Sequence, residues 1–435
     1  MQEGGTVRLT IESLAYGGAG VAKTSEGLTV FVDGTCAGDT IEAEEIERHP
    51  RFVRARLTSV LEPSPDRVEA PCPYFGICGG CQWQHVAYDA QCRAKSAAVT
   101  DALTRIGRLD VAAAGILPSA DRYGYRNKIE LRVLPTPRGP QLGFTRHASN
   151  QIVPIDECML LPARSRRAPR ALGGALRYLS GRADVEIERV ALRVSRSGET
   201  EVDIWTDPGP FPRQLAAKVI ADAVKARTVT RVIAKGPSEA RKVVKVEVLS
   251  GPGAWREKLA GDQYIVSAPS FFQVNTRAAE TLREKACGAI EDSGATYVAD
   301  VYAGVGTFTL PLARFADVVA IESSSHALAD LRRNLDAAGL EAEIEPGDAG
   351  RILSEIEPPE AIIVDPPRAG LGHEAGQALI GAHPGTLVYV SCDPATLARD
   401  AKELVAAGYT LRSLAPVDMF PQTYHVETVA VFTRD

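Results

Sequence analysis

The sequence contains no run of 18 or more apolar residues, so it predicts no helix that crosses a membrane. Its first residues, 1–5, are polar and lead directly into a strand-like segment, which argues against a secretory signal. Internal repeats and low-complexity tracts are also lacking, so nothing points to a solenoid or a fibrous protein. These absences predict a cytoplasmic protein with no membrane partner, and no feature predicts an obligate protein partner.

Cysteine is scarce, since eight residues in a chain of 435 do not make a disulfide scaffold. Three of them, Cys72, Cys78 and Cys81, fall within ten residues in a glycine-rich segment. This spacing predicts a loop that folds around a metal centre, and Cys158 is the best candidate for a fourth ligand. Such thiolate ligation suits an iron–sulfur cluster, with a four-cysteine zinc site or free thiols as the alternatives.

The distribution of charge is more informative than its total. The chain carries a formal charge of −6, but residues 122–258 hold 26 Lys and Arg against 14 Asp and Glu. That excess of 12 positive charges leaves −18 for the rest of the chain. A basic middle between acidic flanks is expected where one region meets phosphates, although a solvated arginine-rich face gives the same count.

The order of the patterns predicts several units, as expected for a chain of this length. Short alternating segments with glycine turns over residues 6–60 predict a small β-barrel. An amphipathic helix from about Tyr88 to Ile106 leads into an α+β pattern over residues 122–258. From there to the end, helix and strand alternate, which predicts a parallel doubly wound sheet.

A nucleotide-cofactor site is predicted where a buried strand ending at Tyr302 runs into a loop with Gly304 and Gly306. The next strand ends in Glu322, whose carboxylate is placed to accept hydrogen bonds from ribose hydroxyls. Thr309 stands where a dinucleotide fingerprint has its third glycine, and the loop has no lysine or arginine for a phosphate. S-adenosylmethionine therefore fits better than NAD, and an ordinary α/β turn is the plain alternative.

The candidate catalytic residues follow two neighbouring strands. Asp365 comes directly after the buried strand Ala361–Val364, and Cys392 ends the next strand, so both should share one rim of the sheet. Glu427 lies in the last strand. A thiolate that adds to carbon 6 of uracil makes carbon 5 reactive toward a methyl donor, and a base must then remove the carbon 5 proton. The alternatives are a buried structural thiol and a solvent-facing glutamate.

Five separated runs resemble the RNA 5-methyluridine (uracil-5-) methyltransferase family. They are Ser270-Phe271-Phe272-Gln273-Val274-Asn275, Asp300–Gly306, Asp365-Pro366-Pro367-Arg368-Ala369-Gly370, Ser391-Cys392-Asp393-Pro394 and His425-Val426-Glu427-Thr428. Residues 1–60 resemble the RNA-binding TRAM module, and residues 71–85 resemble the cluster loop of the family. The resemblance implies that Cys392 is the nucleophile and Glu427 the base, and that the cysteine loop carries a 4Fe–4S cluster.

The resemblance also implies a set of S-adenosylmethionine contacts. The contacts are Gln273, Tyr302, Gly304, Gly306, Thr307, Glu322, Asp348 and Asp365. Gly304 and Gly306 are the two loop glycines, and Asp348 is expected on the adenine side. Thr307 replaces the asparagine that many members carry, and Gln422 stands in a run that is more commonly Pro-His-Thr. The first departure affects the cofactor contact expected of residue 307. The second affects the surroundings of Glu427, the catalytic base that the resemblance implies.

The predicted whole is a multidomain α/β enzyme of three parts. Residues 1–60 form a TRAM/OB-like barrel, 61–92 with 121–260 an α+β RNA-binding domain with the iron–sulfur loop, and 93–120 with 261–435 a Rossmann-like methyltransferase domain. The expected substrate is 23S rRNA, with tRNA as the alternative. Cytosine-5 chemistry is disfavoured because Pro367 occupies the place of a second cysteine. A non-catalytic RNA-binding protein is the rival from another class.

Overall fold

The structure is a computed structural model that describes residues 6–112, 114–237 and 241–434. The polar start that the sequence analysis assigned to residues 1–5 lies outside these ranges. Three large β-sheets succeed one another along the chain. Within the described residues, no helix is long and apolar enough to cross a membrane.

The N-terminal sheet is the small β module that the alternating pattern predicted. Its strands run in the order β1-β5-β6-β4-β3-β2 and surround a core that includes Leu9, Val30 and Ile41. The strands are β1 (Thr6–Thr10), β2 (Ser13–Leu14), β3 (Gly20–Lys23), β4 (Thr29–Val32), β5 (Thr40–Arg48) and β6 (Phe52–Glu62).

A helix after the cysteine loop joins this module to the C-terminal part of the chain. It is α1 (Tyr88–Ala102), which continues as a π-helical turn over Leu103–Gly107. Lys95 of α1 and Asp418 are both fully buried. The Lys95 ammonium group donates to the Asp418 carboxylate at 2.6 Å. A buried charge without its partner is strongly destabilising, so this pair fixes α1 against the segment that contains Asp418.

The central sheet mixes parallel and antiparallel strands, as an α+β pattern predicts. Its order is β13-β12-β11-β10-β7-β8-β9, with β11 and β12 as the parallel pair. Leu172 and Leu176 pack a helix against Leu192 and Ile204 of the sheet. The elements are β7 (Lys128–Leu134), β8 (Gln141–Thr145), β9 (Ile152–Pro154), α2 (Ala168–Ser180), β10 (Arg189–Val194), β11 (Thr200–Thr206), α3 (Arg213–Val224), β12 (Thr228–Lys235) and β13 (Lys242–Ser250).

The C-terminal part begins with a hairpin and continues as alternating helices and strands. The hairpin is β14 (Trp255–Leu259) and β15 (Asp262–Val266). The following elements are α4 (Thr276–Ser293), β16 (Tyr297–Val301), α5 (Thr309–Leu312), β17 (Asp317–Glu322), α6 (Ser325–Ala338), β18 (Glu343–Pro346), α7 (Ala349–Leu353), β19 (Ala361–Val364), α8 (Gly372–Ala382), β20 (Thr386–Ser391), α9 (Pro394–Ala406), β21 (Thr410–Val417) and β22 (Glu427–Thr433).

Helices cover both faces of this last sheet. On β20, Val388 and Val390 join the cluster that contains the apolar side of α4, whereas Leu387 and Tyr389 join the cluster on the side of α9. Side chains of a strand alternate between faces, so a strand buried on both sides reads as a continuous apolar run. That is why β16, β19 and β20 were recognisable in the sequence.

The sheet is mixed rather than wholly parallel, which corrects the sequence-based expectation. Its order is β18-β17-β16-β19-β20-β22-β21, and β22 is antiparallel to both neighbours. A parallel return requires a crossover of a dozen or more residues, usually with a helix. The segment between Val417 and Glu427 is shorter and contains no helix, so the chain reverses direction.

Candidate active site

The reversal of β22 sets the geometry of the site. The β20–β22 ladder pairs Val390 with Val429 and Ser391 with Thr428. Cys392 follows the end of β20, and Glu427 is the first residue of β22. The two residues therefore lie on adjacent strands at the rim where the parallel strands end, within about 5 Å between backbones. A parallel β22 would have carried Glu427 to the opposite edge.

Asp365 lies on the same rim, one residue beyond β19. Its backbone N–H donates to the carbonyl of Val301 at 3.3 Å, which ties the Asp-Pro-Pro corner to the end of β16. Asp300 of β16 is fully buried and accepts a hydrogen bond from the Thr309 hydroxyl at 2.5 Å. The sequence analysis did not assign Asp300 a role, although it stands within one of the matching runs.

The buried carboxyl groups at this rim have raised pKa values. Burial raises the pKa of Glu427 well above its usual value, and the nearby Asp365 raises it further. Burial likewise raises the pKa of Asp365 to about 7, with Asp300 adding to the effect. A carboxyl with a raised pKa holds a proton firmly, as a base that takes a proton from carbon must.

The Cys392 thiol is subject to opposing charges. Burial raises its pKa to about 12, Glu427 and Asp365 contribute in the same direction, and the Arg368 guanidinium lowers it. Arg368 also lowers the pKa of Glu427. Arg368 stands in one of the matching runs without a predicted role, and its positive charge favours the thiolate.

The glycine loop after β16 adopts a conformation that requires its glycines. Tyr302 has φ of 66°, a strained value for a residue with a side chain, and Gly306 has φ of 94°. A Cβ on Gly306 would lie 2.7 Å from side-chain carbons of Leu310 and Leu331. The loop is therefore held close to the helix that follows β17.

Glu322 links this loop to the end of β17. Its carboxylate accepts the backbone N–H of Gly304 at 2.9 Å and that of Ser324 at 2.6 Å, one on each oxygen. A carboxylate oxygen has a second lone pair, so both can still accept from ribose hydroxyls. With no cation in the loop, these residues fit S-adenosylmethionine.

The remaining predicted cofactor contacts differ in exposure. Gln273 is buried, and its backbone carbonyl accepts from the Asn127 amide at 2.8 Å. Thr307 is half-buried in the glycine loop. Asp348 is exposed and caps α7, since one of its oxygens accepts the N–H groups of Gly350 and Arg351. This capping leaves its second carboxylate oxygen free for a ligand.

The four cysteines that were predicted to bind a cluster line one cavity of about 460 Å³. Burial raises the pKa of Cys78 to about 11 and that of Cys81 to about 12. Even so, across the described part of the chain, no three His, Cys, Asp or Glu side chains are grouped so as to hold a metal ion. Cys72, Cys78, Cys81 and Cys158 thus surround a common space without forming a ligand set.

Gln422 connects the cysteine loop with the segment before Glu427. Its carbonyl accepts the backbone N–H groups of Gln82 and Trp83, both at 3.0 Å. Its backbone N–H donates to the side chain of Gln91 at 2.9 Å, and its own amide donates to the carbonyl of Arg122 at 3.2 Å. The departure at position 422 was visible in the sequence, but these four contacts were not.

The chain is similar to known proteins along its whole length. Residues 354–435 match the family described as tRNA (Uracil-5-)-methyltransferase, and residues 1–58 match the TRAM domain. An uncharacterized RNA methyltransferase of Chlorobaculum tepidum is 35% identical over 100% of this chain and 97% of its own. Another, from Halalkalibacterium halodurans, is 34% identical over 98% and 96%. The chain belongs to the RNA (uracil-5-)-methyltransferase family.

A solved structure supports the cofactor assignment of this RNA methyltransferase. The crystal structure of Pyrococcus abyssi tRNA (uracil-54, C5)-methyltransferase in complex with S-adenosyl-L-homocysteine is similar with a TM-score of 0.76. The identity is 28%, and the match covers 98% of this chain and 100% of the other. The predicted family, the TRAM module and the use of S-adenosylmethionine are confirmed.

Two substitutions should move the titration of Cys392 in opposite directions. Glu427→Gln removes a negative charge beside the thiol and should lower its pKa, whereas Arg368→Gln removes the positive charge and should raise it. Each shift should be about one pH unit. The measurement is the alkylation rate of Cys392 by iodoacetamide as a function of pH, followed by mass spectrometry of the peptide.

The matched control is Arg8→Gln, which removes an exposed arginine paired with Glu62 in the N-terminal module. Its alkylation profile should coincide with that of the unchanged protein. If Glu427→Gln and Arg368→Gln shift the profile in the same direction, the charges on the rim do not control the thiol.

Proposed function

We propose that this enzyme methylates carbon 5 of a specific uridine in 23S rRNA through a covalent bond between Cys392 and carbon 6 of the base. The observation that carries the proposal is the antiparallel β20–β22 register, which supports a shared site for Cys392 and Glu427. Asp365 and the glycine loop at the same rim add a second carboxyl group and the cofactor contacts. The cytoplasm is the proposed location of the reaction.

In the proposed reaction the target base leaves its stack to reach the rim. When bound, S-adenosylmethionine supplies an electrophilic methyl group. The Cys392 thiol releases its proton to water, and the Sγ electron pair of the thiolate bonds to carbon 6. The electrons of the carbon 5–carbon 6 double bond shift toward O4, and the resulting enolate forms the bond from carbon 5 to the methyl group as the methyl–sulfur bond of the donor breaks and leaves its electrons on sulfur. Arg368 favours the thiolate that begins this step.

Glu427 completes the reaction. Its ionised carboxylate takes the proton from carbon 5, the double bond between carbons 5 and 6 re-forms, and the Sγ–carbon 6 bond breaks to return the thiolate. The other proposed site residues, Gln273, Tyr302, Gly304, Gly306, Thr307, Glu322, Asp348 and Asp365, hold the methyl donor. Three units cooperate in this proposal: 1–60, 61–92 with 121–260, and 93–120 with 261–435.

The covalent step is tested with RNA that contains 5-fluorouridine at the target site. Fluorine cannot leave as a proton does, so the protein should remain linked to methylated RNA on a denaturing gel. Cys392→Ala should abolish this link and reduce turnover to background. With normal RNA, Glu427→Gln should accumulate the same linked, methylated species because elimination stalls.

Cys287→Ala is the control for loss of a thiol, since this buried cysteine lies in the α4 core, outside the proposed site. It should retain the covalent link. Turnover by Cys392→Ala at the normal rate would exclude the proposed nucleophile, and normal turnover by Glu427→Gln would exclude the proposed base.

The substrate is the second part of the proposal. The basic excess of residues 122–258 and the TRAM module support a large structured RNA, and 23S rRNA is preferred. Transfer RNA is the second candidate, because the Pyrococcus abyssi protein is by its description a tRNA (uracil-54, C5)-methyltransferase. Single-turnover methylation of separate 23S rRNA and tRNA transcripts should label the rRNA. Label on tRNA alone would reverse the assignment.

The cysteine loop is proposed to carry a 4Fe–4S cluster with a structural role. The support is the common cavity of Cys72, Cys78, Cys81 and Cys158, whose four thiols suit cluster ligation. When bound, the cluster cross-links the loop to the central sheet, and no step of methyl transfer passes through it.

Protein purified without oxygen should be brown and contain iron and sulfide in equal amounts, about four of each per chain. Cys81→Ser should lose both while Cys36→Ser, in the N-terminal module, keeps them. Stoichiometric zinc without iron would assign the loop to the competing metal.

A further inference from the structure

A turn of the N-terminal module lies directly against the end of β20. The Tyr16 hydroxyl donates to the backbone carbonyl of Cys392 at 3.2 Å, across 376 residues of sequence. The side chain is half-buried and packs at the edge of the core cluster that contains the α9 side of the sheet. A residue of the TRAM module thus contacts the segment that holds the proposed nucleophile.

The turn that presents Tyr16 is closely held. Within it, the backbone N–H of Ala15 donates to the carbonyl of Ala19 at 2.8 Å, and the N–H of Gly18 donates to the carbonyl of Ala15 at 3.0 Å. The carbonyl of Gly18 accepts the Trp83 indole N–H at 2.9 Å. Gly18 has φ of 104°, and a Cβ there would lie 3.1 Å from the Cβ of Gln82. The position of Tyr16 is therefore set by contacts of its turn with the cysteine loop as well as by hydrogen bonds within the turn.

The Tyr16 ring also reaches the segment that leads into β22. Its edge meets the ring of Tyr424 with centroids 5.2 Å apart, and Tyr424 contacts the ring of His425 at 4.2 Å. His425 is two residues before Glu427. Tyr16 thus contacts the segment of Cys392 through its hydroxyl, and its ring contacts the segment that precedes Glu427.

The hydroxyl of Tyr16 remains a donor. Burial raises the pKa of Tyr16, and the Asp393 carboxylate and the Cys392 thiol raise it further. Asp393 caps α9 by accepting the N–H groups of Ala395 and Thr396, so the carbonyl of Cys392 precedes a fixed helix start. A neutral phenol on one side and a helix cap on the other leave this peptide little freedom.

We propose that Tyr16 is a positioning residue for methyl transfer: the TRAM module completes the catalytic site by fixing the backbone of Cys392 from outside the methyltransferase domain. This inference rests on the proposed function of Cys392. It gives the module a role in the chemical step in addition to RNA contact, and RNA that displaces the Tyr16 turn would change the placement of the thiol.

The test is Tyr16→Phe, which keeps the ring and removes the hydrogen bond. The rate constant kcat should fall about tenfold, because small misplacements of a reacting group are costly, while KM for RNA stays unchanged. The rate of Cys392 linkage to 5-fluorouridine RNA should fall by the same factor. Alkylation of Cys392 without RNA should also change, which a residue that only grips RNA would not cause.

Tyr409→Phe is the matched control. The Tyr409 hydroxyl donates to the carbonyl of Pro384 at 3.1 Å, so the same kind of hydrogen bond is lost. Pro384 lies before the start of β20, and Cys392 follows its end, roughly 20 Å along the strand. Tyr409→Phe should leave kcat, KM and the alkylation rate as they are, with a similar effect on thermal unfolding.

The outcomes separate the two proposals. If Tyr16→Phe matches the unchanged protein, or alters only KM for RNA, the positioning role is overturned while the function of Cys392 stands. If Cys392→Ala remains active, the proposed function fails first, whatever Tyr16→Phe does. Equal losses of kcat in Tyr16→Phe and Tyr409→Phe would also overturn the inference, since they would reflect general destabilisation.

Discussion

The antiparallel pairing of β22 with β20 is the constraint on which the site depends. It brings Glu427, the first residue of β22, beside Cys392, the residue that follows β20, so that a thiol and a carboxyl group lie at one rim. The short segment after β21 enforces this reversal. The buried Lys95–Asp418 pair holds that segment, and leaving such a charge unpaired costs about 3–5 kcal/mol.

The rim concentrates features that are unfavourable for stability. Asp300, Asp365 and Glu427 are acids whose burial raises their pKa values, and a neighbouring carboxylate raises each further: Glu322 for Asp300, Asp300 for Asp365 and Asp365 for Glu427. Tyr302 adds a strained backbone at the start of the cofactor loop. Perturbed titration and strain gather at functional sites more often than elsewhere. The apolar side chains packed on both faces of the sheet stabilise the fold and offset the cost of this arrangement.

Local patterns predicted what local physics determines. The strand over Ala361–Val364 was predicted with its observed bounds, because a short continuous apolar run is a strand signal. Once the strands are known, the topology of the sheet predicts that residues following neighbouring parallel strands lie at the same edge. The direction of β22 could not be read in this way, since it depends on the length and course of a turn whose residues resemble any loop.

The contacts of Tyr16 and Gln422 could not be predicted from the sequence, because each joins segments of the chain that share no sequence pattern. Asp418, Gln422 and Tyr424 stand within seven residues, and they contact α1, the cysteine loop and the N-terminal module respectively. The segment that delivers Glu427 is therefore held by three parts of the chain outside the sheet. The placement of Glu427 therefore depends on the whole tertiary structure, and a methyltransferase sheet alone would leave this segment without these contacts.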